Sequence, residues 1–172
     1  MKSPFKKVIG IDPGKGGGIA VITSREVKVH PCPNTVEDMA MLISICLNDV
    51  APYRTKVFLE KVWAFPTDGR MGSFSFGCNY GQWQGILSAH EIKPQLVTPK
   101  EWQSHFEIKK GLPKNIRKKL LKQLAIDRCP ETKKITLKTA DALLIGIYGL
   151  EAHLSYKREL PWVYPGLKEK AL

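Results

Sequence analysis

The sequence lacks the features that mark several large protein classes. No apolar run approaches the ~20 residues that a membrane-spanning helix requires, and no apolar leader segment is visible at its start. The four cysteines form no C-x-x-C pair, and the four histidines add no zinc-finger spacing. We therefore expect no membrane partner and no zinc finger, and we expect reduced thiols in a reducing, aqueous compartment.

Acidic residues are also scarce: 16 Asp and Glu stand against 27 Lys and Arg, which gives a formal charge of +11. The excess is clustered, because residues 109–122 contain seven basic residues and no acid. A predicted amphipathic helix carries Ile116, Leu120, Leu121 and Leu124 on one side. Such a surface attracts polyanions, so the sequence predicts a nucleic-acid partner, with a merely soluble basic protein as the alternative. The seven basic residues are Lys109, Lys110, Lys114, Arg117, Lys118, Lys119 and Lys122.

The first strongly patterned stretch is KKVIGIDPGKGGGIAVI, residues 6–22. It predicts strands at 8–11 and 18–23 joined by a glycine-rich turn. Asp12 ends the first strand, where a partly desolvated carboxylate needs a cation, a hydrogen-bond donor or a metal. Three interpretations compete: an ordinary Asp-Pro-Gly turn, a phosphate cradle as in actin-like ATPases, and the first metal ligand of a nuclease. A chain of 172 residues fits one domain, whereas those ATPases need two, so its length disfavours the second interpretation.

The rest of the chain alternates strands and helices. Three antiparallel strands followed by βα units predict an α/β fold with a mixed sheet. The polar, Pro-containing residues 156–172 are predicted to be a tail to a single domain at 1–155. Further strands are predicted at 26–30, 56–62 and 95–97. The first helix is predicted to start at a capping box formed by Asn34 and Glu37, and a second to span 78–90. Three more helices are predicted: one that starts at Pro99, one across the basic stretch, and one within 137–154.

Three acids occupy unusual positions in this pattern. Asp12 and Glu60 lie near strand ends, and Asp141 interrupts an apolar helix, where a helix-dipole partner is the simpler explanation. The predicted fold can bring the three carboxylates together, which is unfavourable unless divalent cations neutralise them. Oxygen-only ligands suit Mg²⁺ or Mn²⁺, and two such ions about 4 Å apart can promote phosphodiester hydrolysis.

The chain resembles the RuvC family of Holliday-junction resolvases within the ribonuclease H-like superfamily, especially its phage and chloroplast branch. The matching stretches, in order, are VIGIDPGKGGGIAV, FLEKVWAFPTDGRMGSFSFGCNYGQWQGIL, PQLVTPKEWQ and TADALLIGIYG. The resemblance implies a mixed five-stranded sheet flanked by helices and a homodimer that makes paired symmetric cuts in four-way DNA junctions with Mg²⁺ or Mn²⁺, two ions in all. It also implies a cytoplasmic protein, in host cytoplasm if a phage encodes it, or in an organelle matrix if the chain is a mature organellar form.

The resemblance assigns the metal ligands position by position. Asp12 matches the first ligand, Glu60 the second and Asp141 the last. The family also has an acid or histidine three or four residues before the last ligand, where this chain has Lys138 and Leu137. Either three carboxylates hold two ions with water completing the shell, or Lys138 replaces one cation at the catalytic centre, or the protein binds junctions without cutting well.

The resemblance also suggests the DNA contacts. Trp63 and Phe65 are candidates to stack on bases at the opened junction centre, with loop packing as the alternative. Arg70 and the basic helix would contact phosphates. The helix at 78–90, in which Gly81 and Gly85 permit close approach, is a candidate dimer element, although packing within one subunit would also explain it. A junction-binding architectural protein is the competing function.

Overall fold

A computed structural model of the chain describes residues 5–63 and 69–153. Phe65 and the predicted tail at 156–172 lie outside the described residues, so the domain boundary stays a prediction. In the part of the chain that is described, no helix is long and apolar enough to cross a membrane.

The centre of the fold is one mixed sheet with the strand order β3-β2-β1-β4-β5. β1 pairs antiparallel with β2 and parallel with β4, β2 pairs antiparallel with β3, and β4 pairs parallel with β5. This arrangement confirms the predicted mixed five-stranded sheet. The strands are β1 Lys7–Asp12, β2 Gly18–Thr23, β3 Val27–Pro31, β4 Thr55–Glu60 and β5 Gln95–Val97.

Helices cover both faces of the sheet. α3, α4 and α5 pack on one face, and α1 and α2 pack on the other. The helices are α1 Val36–Leu47, α2 Arg70–Ala89, α3 Pro99–His105, α4 Lys114–Arg128 and α5 Ala140–Tyr148, with a short 3₁₀-helix at Pro52–Arg54 and a π-helix at Gly149–His153.

Side-chain alternation decides which face each strand-end carboxylate occupies. Val8 and Phe58 pack with α5, and side chains two residues apart share a face of a strand. Asp12 and Glu60 therefore project toward the α5 face. α5 lies close to β1 because Gly10 has no side chain: a Cβ there would collide with the Ala142 carbonyl oxygen and the Gly146 backbone.

A buried ion-pair cluster fixes the helices on that face. Glu151 follows α5 and is 8% exposed. Its carboxylate accepts from Arg128 Nη1 and from His105 Nε2, both at 2.6 Å. The cluster ties the C-terminal ends of α3 and α4 to the segment after α5.

Two helix starts differ from the sequence prediction. The N-cap of α1 is Thr35, whose hydroxyl accepts from Asp38 N at 3.1 Å, so the predicted capping box at Asn34 and Glu37 is wrong. α2 begins at Arg70, eight residues before the predicted start at Cys78. The glycines of 69–77 suggested a loop, but packing of Phe76 and Asn79 against the turn after β1 keeps this stretch helical.

The buried side of α4 also differs from the prediction. Leu121 and Ala125 are buried, whereas Ile116 and Leu120 are 48% and 43% exposed. The packed stripe of the helix is therefore rotated from the predicted one, and Lys118 lies on it.

Candidate active site

Three carboxylates meet at one edge of the sheet, as the sequence predicts. Asp12 ends β1 and Glu60 ends β4, and the carboxyl ends of these parallel neighbours lie side by side. Asp141 lies in the first turn of α5, which packs over β1. Asp12 and Asp141 are each 7% exposed, and Glu60 is half-buried. The fold thus brings together acids that are far apart in the sequence.

The acids interact strongly enough to change their proton affinities. Burial, with the charges of Glu60 and Asp141, raises the pKa of Asp12 well above its usual range. Burial raises the pKa of Glu60 to about 7, although the Trp102 indole and the Lys118 ammonium oppose this. The Asp12 and Glu60 side chains also interact directly, which further raises the pKa of Asp12 and opposes the rise at Glu60. Burial and the neighbouring negative charges thus favour the protonated forms of both carboxyl groups.

Lys118 enters this cluster, which the sequence analysis did not foresee. Its Nζ donates to Asp141 Oδ2 at 2.5 Å, and its side chain is 27% exposed. Burial alone would lower the pKa of Lys118, but the charges of Asp141, Asp12 and Glu60 raise it. The sequence contained a signal: Lys118 precedes Leu121 by three residues and Ala125 by seven, which places it on the buried stripe of α4.

Trp102 is a second contact that the sequence analysis missed. Its indole Nε1 donates to Glu60 Oε1 at 2.8 Å, and the side chain is fully buried in α3. A capping box in which Thr98 and Glu101 bond each other's backbone fixes the start of this helix. Trp102 therefore orients the Glu60 carboxylate from a rigid position.

Asn79 of α2 holds the turn after Asp12. Its Oδ1 accepts from Gly14 N at 2.7 Å, and its Nδ2 contacts Cys32 Sγ at 3.5 Å. Gly14 has φ +104°, a conformation that favours glycine. A Cβ at Gly17 would collide with the Asp12 carbonyl group, whereas Gly16 has open space around it. Gly14 and Gly17 thus serve packing within the chain, whereas a Cβ built on Gly16 would meet no described residue within 4 Å.

The carboxylate oxygens are ligands that suit a hard cation, but their arrangement in this structure is not that of a metal site. Asp141 Oδ1 is buried and has no hydrogen-bond partner among the described residues, so an acceptor inside the cluster is unsatisfied there. Within residues 5–63 and 69–153, however, no three Asp, Glu, His or Cys side chains are arranged to hold a metal as they stand. Lys118 supplies the positive charge instead. The donors suit Mg²⁺ or Mn²⁺, and binding would require Lys118 to move away from Asp141.

Lys138 and Leu137 occupy the loop just before α5. Both are exposed, and among the described residues Lys138 makes no ion pair with Asp12, Glu60 or Asp141. A Cβ built on Gly18 would lie 3.0 Å from the Lys138 carbonyl oxygen. The Lys138 backbone therefore lies beside the site, while the lysine that contacts the carboxylates is Lys118.

The predicted DNA-contact residues divide into two groups around the site. Trp63 is 46% exposed just after β4, and Arg70 is exposed at the start of α2. Phe65 lies outside the described residues. On the other side, the basic stretch leads into α4: Lys109, Lys110, Lys114 and Lys119 are exposed, and Arg117 and Lys122 are half-buried.

Solved structures resemble this fold. Thermus thermophilus RuvC in complex with a Holliday-junction substrate matches with a TM-score of 0.58 and 15% identity, over 87% of this chain and 96% of that one. A second T. thermophilus RuvC structure matches with a TM-score of 0.52 and 16% identity over the same shares. No protein-family model and no curated protein sequence matches the chain. The protein has a RuvC-like fold.

Proposed function

We propose that this protein is a divalent-metal-dependent endodeoxyribonuclease that resolves four-way DNA junctions by paired symmetric cuts. The observation that carries the proposal is the convergence of Asp12, Glu60 and Asp141 at one sheet edge, with a buried Asp141 oxygen that lacks a partner in the described part of the chain. The +11 charge and the likeness to a RuvC structure with a Holliday junction support branched DNA as the substrate. We place this activity in the cytoplasm.

Asp12, Glu60 and Asp141 would hold the metal, Mg²⁺ or Mn²⁺, with two ions as the working hypothesis. Ions bound there would activate water and stabilise the leaving oxygen of the phosphodiester. Trp102 keeps the Glu60 carboxylate oriented through its 2.8 Å hydrogen bond. Asn79 holds the backbone turn that follows Asp12. These two residues position ligands and do not contact the reacting atoms.

Lys118 is our candidate for the cation that the sequence analysis sought at Lys138. In the metal-free cluster its ammonium pairs with Asp141. If Asp141 bound a metal, the Lys118 ammonium would be free to contact the scissile phosphate and would neutralise part of its charge. Lys138 is exposed at the rim of the site, where it would meet a phosphate outside the carboxylate cluster.

The DNA would lie across the carboxylate edge between the two predicted contact groups. The basic stretch at residues 109–122 and Arg70 offer contacts to DNA phosphates, which do not depend on the base sequence. Trp63 is exposed enough to stack on a base exposed at the branch point.

Two arguments favour a homodimer: the symmetry of the proposed reaction and the exposed apolar face of α2. Two matched cuts in a nearly two-fold symmetric junction call for a two-fold symmetric enzyme. Met71 and Phe74 on this helix are 80% and 72% exposed, and a Cβ built on Gly81 or Gly85 meets nothing within 4 Å. A partner helix would bury the exposed apolar side chains and use the small residues for close approach.

The second candidate is a junction-binding architectural protein that cuts weakly or not at all. The Lys118–Asp141 pair, and a lysine where the family has an acid or histidine, favour it. Incubating a labelled four-way junction with Mg²⁺, Mn²⁺ or EDTA separates the two functions. Cleavage that needs metal and is lost in Asp12→Asn supports the nuclease, whereas tight binding without cleavage supports the architectural protein.

A further inference from the structure

A groove of about 590 Å³ lies along the outer edge of β3, away from the carboxylates. One wall is the strand and its preceding turn, residues 25–30, and the other is the loop before α5, residues 129–134. We call it the edge groove. None of the residues that line it takes part in the proposed cleavage.

The strand wall of the edge groove offers backbone donors. Thr23 N bonds to Glu26 O and Cys32 N bonds to Gly17 O, which fixes the hydrogen-bonded pairs between β2 and β3. By alternation Lys28 and His30 bond with β2, so the N–H groups of Val27 and Val29 point outward. Among the described residues β3 pairs with β2 alone, and these two donors therefore face the groove.

The charges of the edge groove are mostly positive. Arg25, Lys133 and Lys134 line it, and within the described ranges none of the three forms an ion pair. Glu26 is neutralised by Lys28 at 2.5 Å, which leaves Glu131 as the unneutralised acid. Phosphates are bound by this combination of basic side chains, hydroxyls and backbone N–H groups.

The edge groove lies within reach of DNA held at the carboxylates. Pro31 pairs with Gly18, and Gly18 pairs with Asp12, so the near end of β3 is about 10 Å from Asp12, two strand spacings away. Val27 lies about 13 Å farther along β3. A DNA strand rises about 3.4 Å per nucleotide, so the backbone about three to five nucleotides from the cut lies over the groove.

We propose that the edge groove binds the sugar-phosphate backbone of the DNA arm next to the cleavage point. Arg25, Lys133 and Lys134 supply the charge, and the outward N–H groups of Val27 and Val29 supply directed hydrogen bonds. The proposal rests on the proposed function, because it takes the DNA position from the carboxylate site. The contact fixes the direction in which the arm leaves the site and reads no sequence.

Salt-dependent junction binding tests this proposal. The variant is Lys133→Gln with Lys134→Asn, since Lys134 has φ +67° and asparagine tolerates that conformation. The charge-matched control is Lys56→Gln with Lys93→Gln; Lys56 lies on β4 and Lys93 just before β5, toward the edge of the sheet opposite β3. In a plot of the logarithm of the junction association constant against the logarithm of salt concentration, we expect the slope to become shallower by about 2 in the groove variant. The slope of the control should stay unchanged. Thermal unfolding confirms that both are folded.

A measurement on the unmutated protein tests the same contact. Amide hydrogen exchange at Val27 and Val29 should slow when a junction binds, while Lys28 and His30, already bonded to β2, serve as internal references. Suppose that the wild-type protein binds and cuts junctions, but the salt slope of the groove variant and the amide exchange of Val27 and Val29 stay unchanged. The groove proposal alone would then be overturned, and an extended peptide would become the candidate ligand of this sheet edge. A wild-type protein that does not bind junctions would instead overturn the proposed function and the groove proposal together.

Discussion

Lys118 Nζ lies 2.5 Å from Asp141 Oδ2, so a lysine from the basic helix neutralises the acid that begins the last helix of the core. The pair connects the positive surface of the protein to its carboxylate cluster. It also offsets part of the repulsion among the three neighbouring acids.

Removing this lysine should destabilise the metal-free protein. Within residues 5–63 and 69–153 Asp141 Oδ1 already lacks a partner, so Lys118→Met leaves the whole carboxylate without a donor from these residues. We expect a loss of about 2 kcal/mol in the free energy of unfolding at pH 8 in EDTA, measured with urea. Junction cleavage should fall more steeply than junction binding.

Lys119→Met is the matched control, since Lys119 is the exposed neighbour on the same helix. It should change stability by less than about 0.5 kcal/mol. Equal effects of the two substitutions on stability and cleavage would contradict the role of Lys118.

The stability of the metal-free protein should fall as the pH rises from about 4.5 to about 7. The pKa of Glu60 is about 7 in the folded protein against 4.5 ordinarily, so the folded state binds more protons than the unfolded state in that window. Glu60→Gln removes this penalty and should stabilise the protein at pH 8 by roughly 1–3 kcal/mol, with solvent screening of the half-buried group setting the lower end.

The measurement is urea unfolding of wild type and Glu60→Gln at several pH values in EDTA. The difference between them should grow with pH across the window and level off above it. Added Mg²⁺ should raise the melting temperature of wild type more than that of the variant. A difference that does not vary with pH would show that the Glu60 carboxyl titrates normally.

Trp102→Phe should impair metal use while keeping the core packed. The change deletes the indole N–H that orients Glu60 and leaves an aromatic ring in place. Loss of such a partner typically lowers metal affinity or activity by about 10–100-fold. Mn²⁺ affinity and the Mn²⁺ dependence of cleavage measure it. Trp83→Phe, equally buried on the other face of the sheet, is the control and should leave both near wild type.

Phe74→Glu should convert a dimer to a monomer. Phe74 is 72% exposed on the outer face of α2, and a charge there would oppose its burial by a partner. Leu120→Glu on α4, which likewise replaces an exposed apolar side chain by an acid, should leave the oligomeric state unchanged. Sedimentation velocity reports the mass of each. A wild-type monomer, or a Phe74→Glu dimer, would rule out this face.

Lys138→Asp should raise Mg²⁺ affinity and cleavage. The position lies three residues before Asp141 and is exposed beside the site, so an acid there adds an oxygen donor where the family has one. Isothermal titration with Mg²⁺ and junction cleavage rates test this. A loss of cleavage in a variant that still binds junctions would instead show that the Lys138 ammonium itself acts on the phosphate.

The strand-end acids could be predicted because their signals are local. Apolar runs that end in Asp12 and Glu60 define strands, and parallel strand ends must meet at one edge of a sheet. The contacts of Trp102 and Asn79 could not be predicted, because both depend on tertiary packing. Trp102 lies 42 residues from its partner Glu60, and Asn79 lies 65 residues from its partner Gly14. The start of α2 was missed because glycines indicate loops locally, whereas packing against the turn after β1 decided the outcome.

Lys118 is an intermediate case. Its basic neighbours suggested an exposed phosphate contact, and the stretch 109–122 gave no local reason to separate one lysine from the others. The helical spacing of Lys118 from Leu121 and Ala125 places it on the same side of α4 as these two residues. Because the sequence did not show that this side is the buried one, the contact with Asp141 could not be predicted.

The most direct test of the central claim is to map the cuts in an immobile four-way junction labelled on each strand in turn, in Mg²⁺, with linear duplex as competitor. The account predicts paired cuts at symmetric positions that disappear in EDTA and in Asp12→Asn, although that variant still binds the junction. Tight binding by wild type with no cut on any strand, in Mg²⁺ or Mn²⁺, would contradict it.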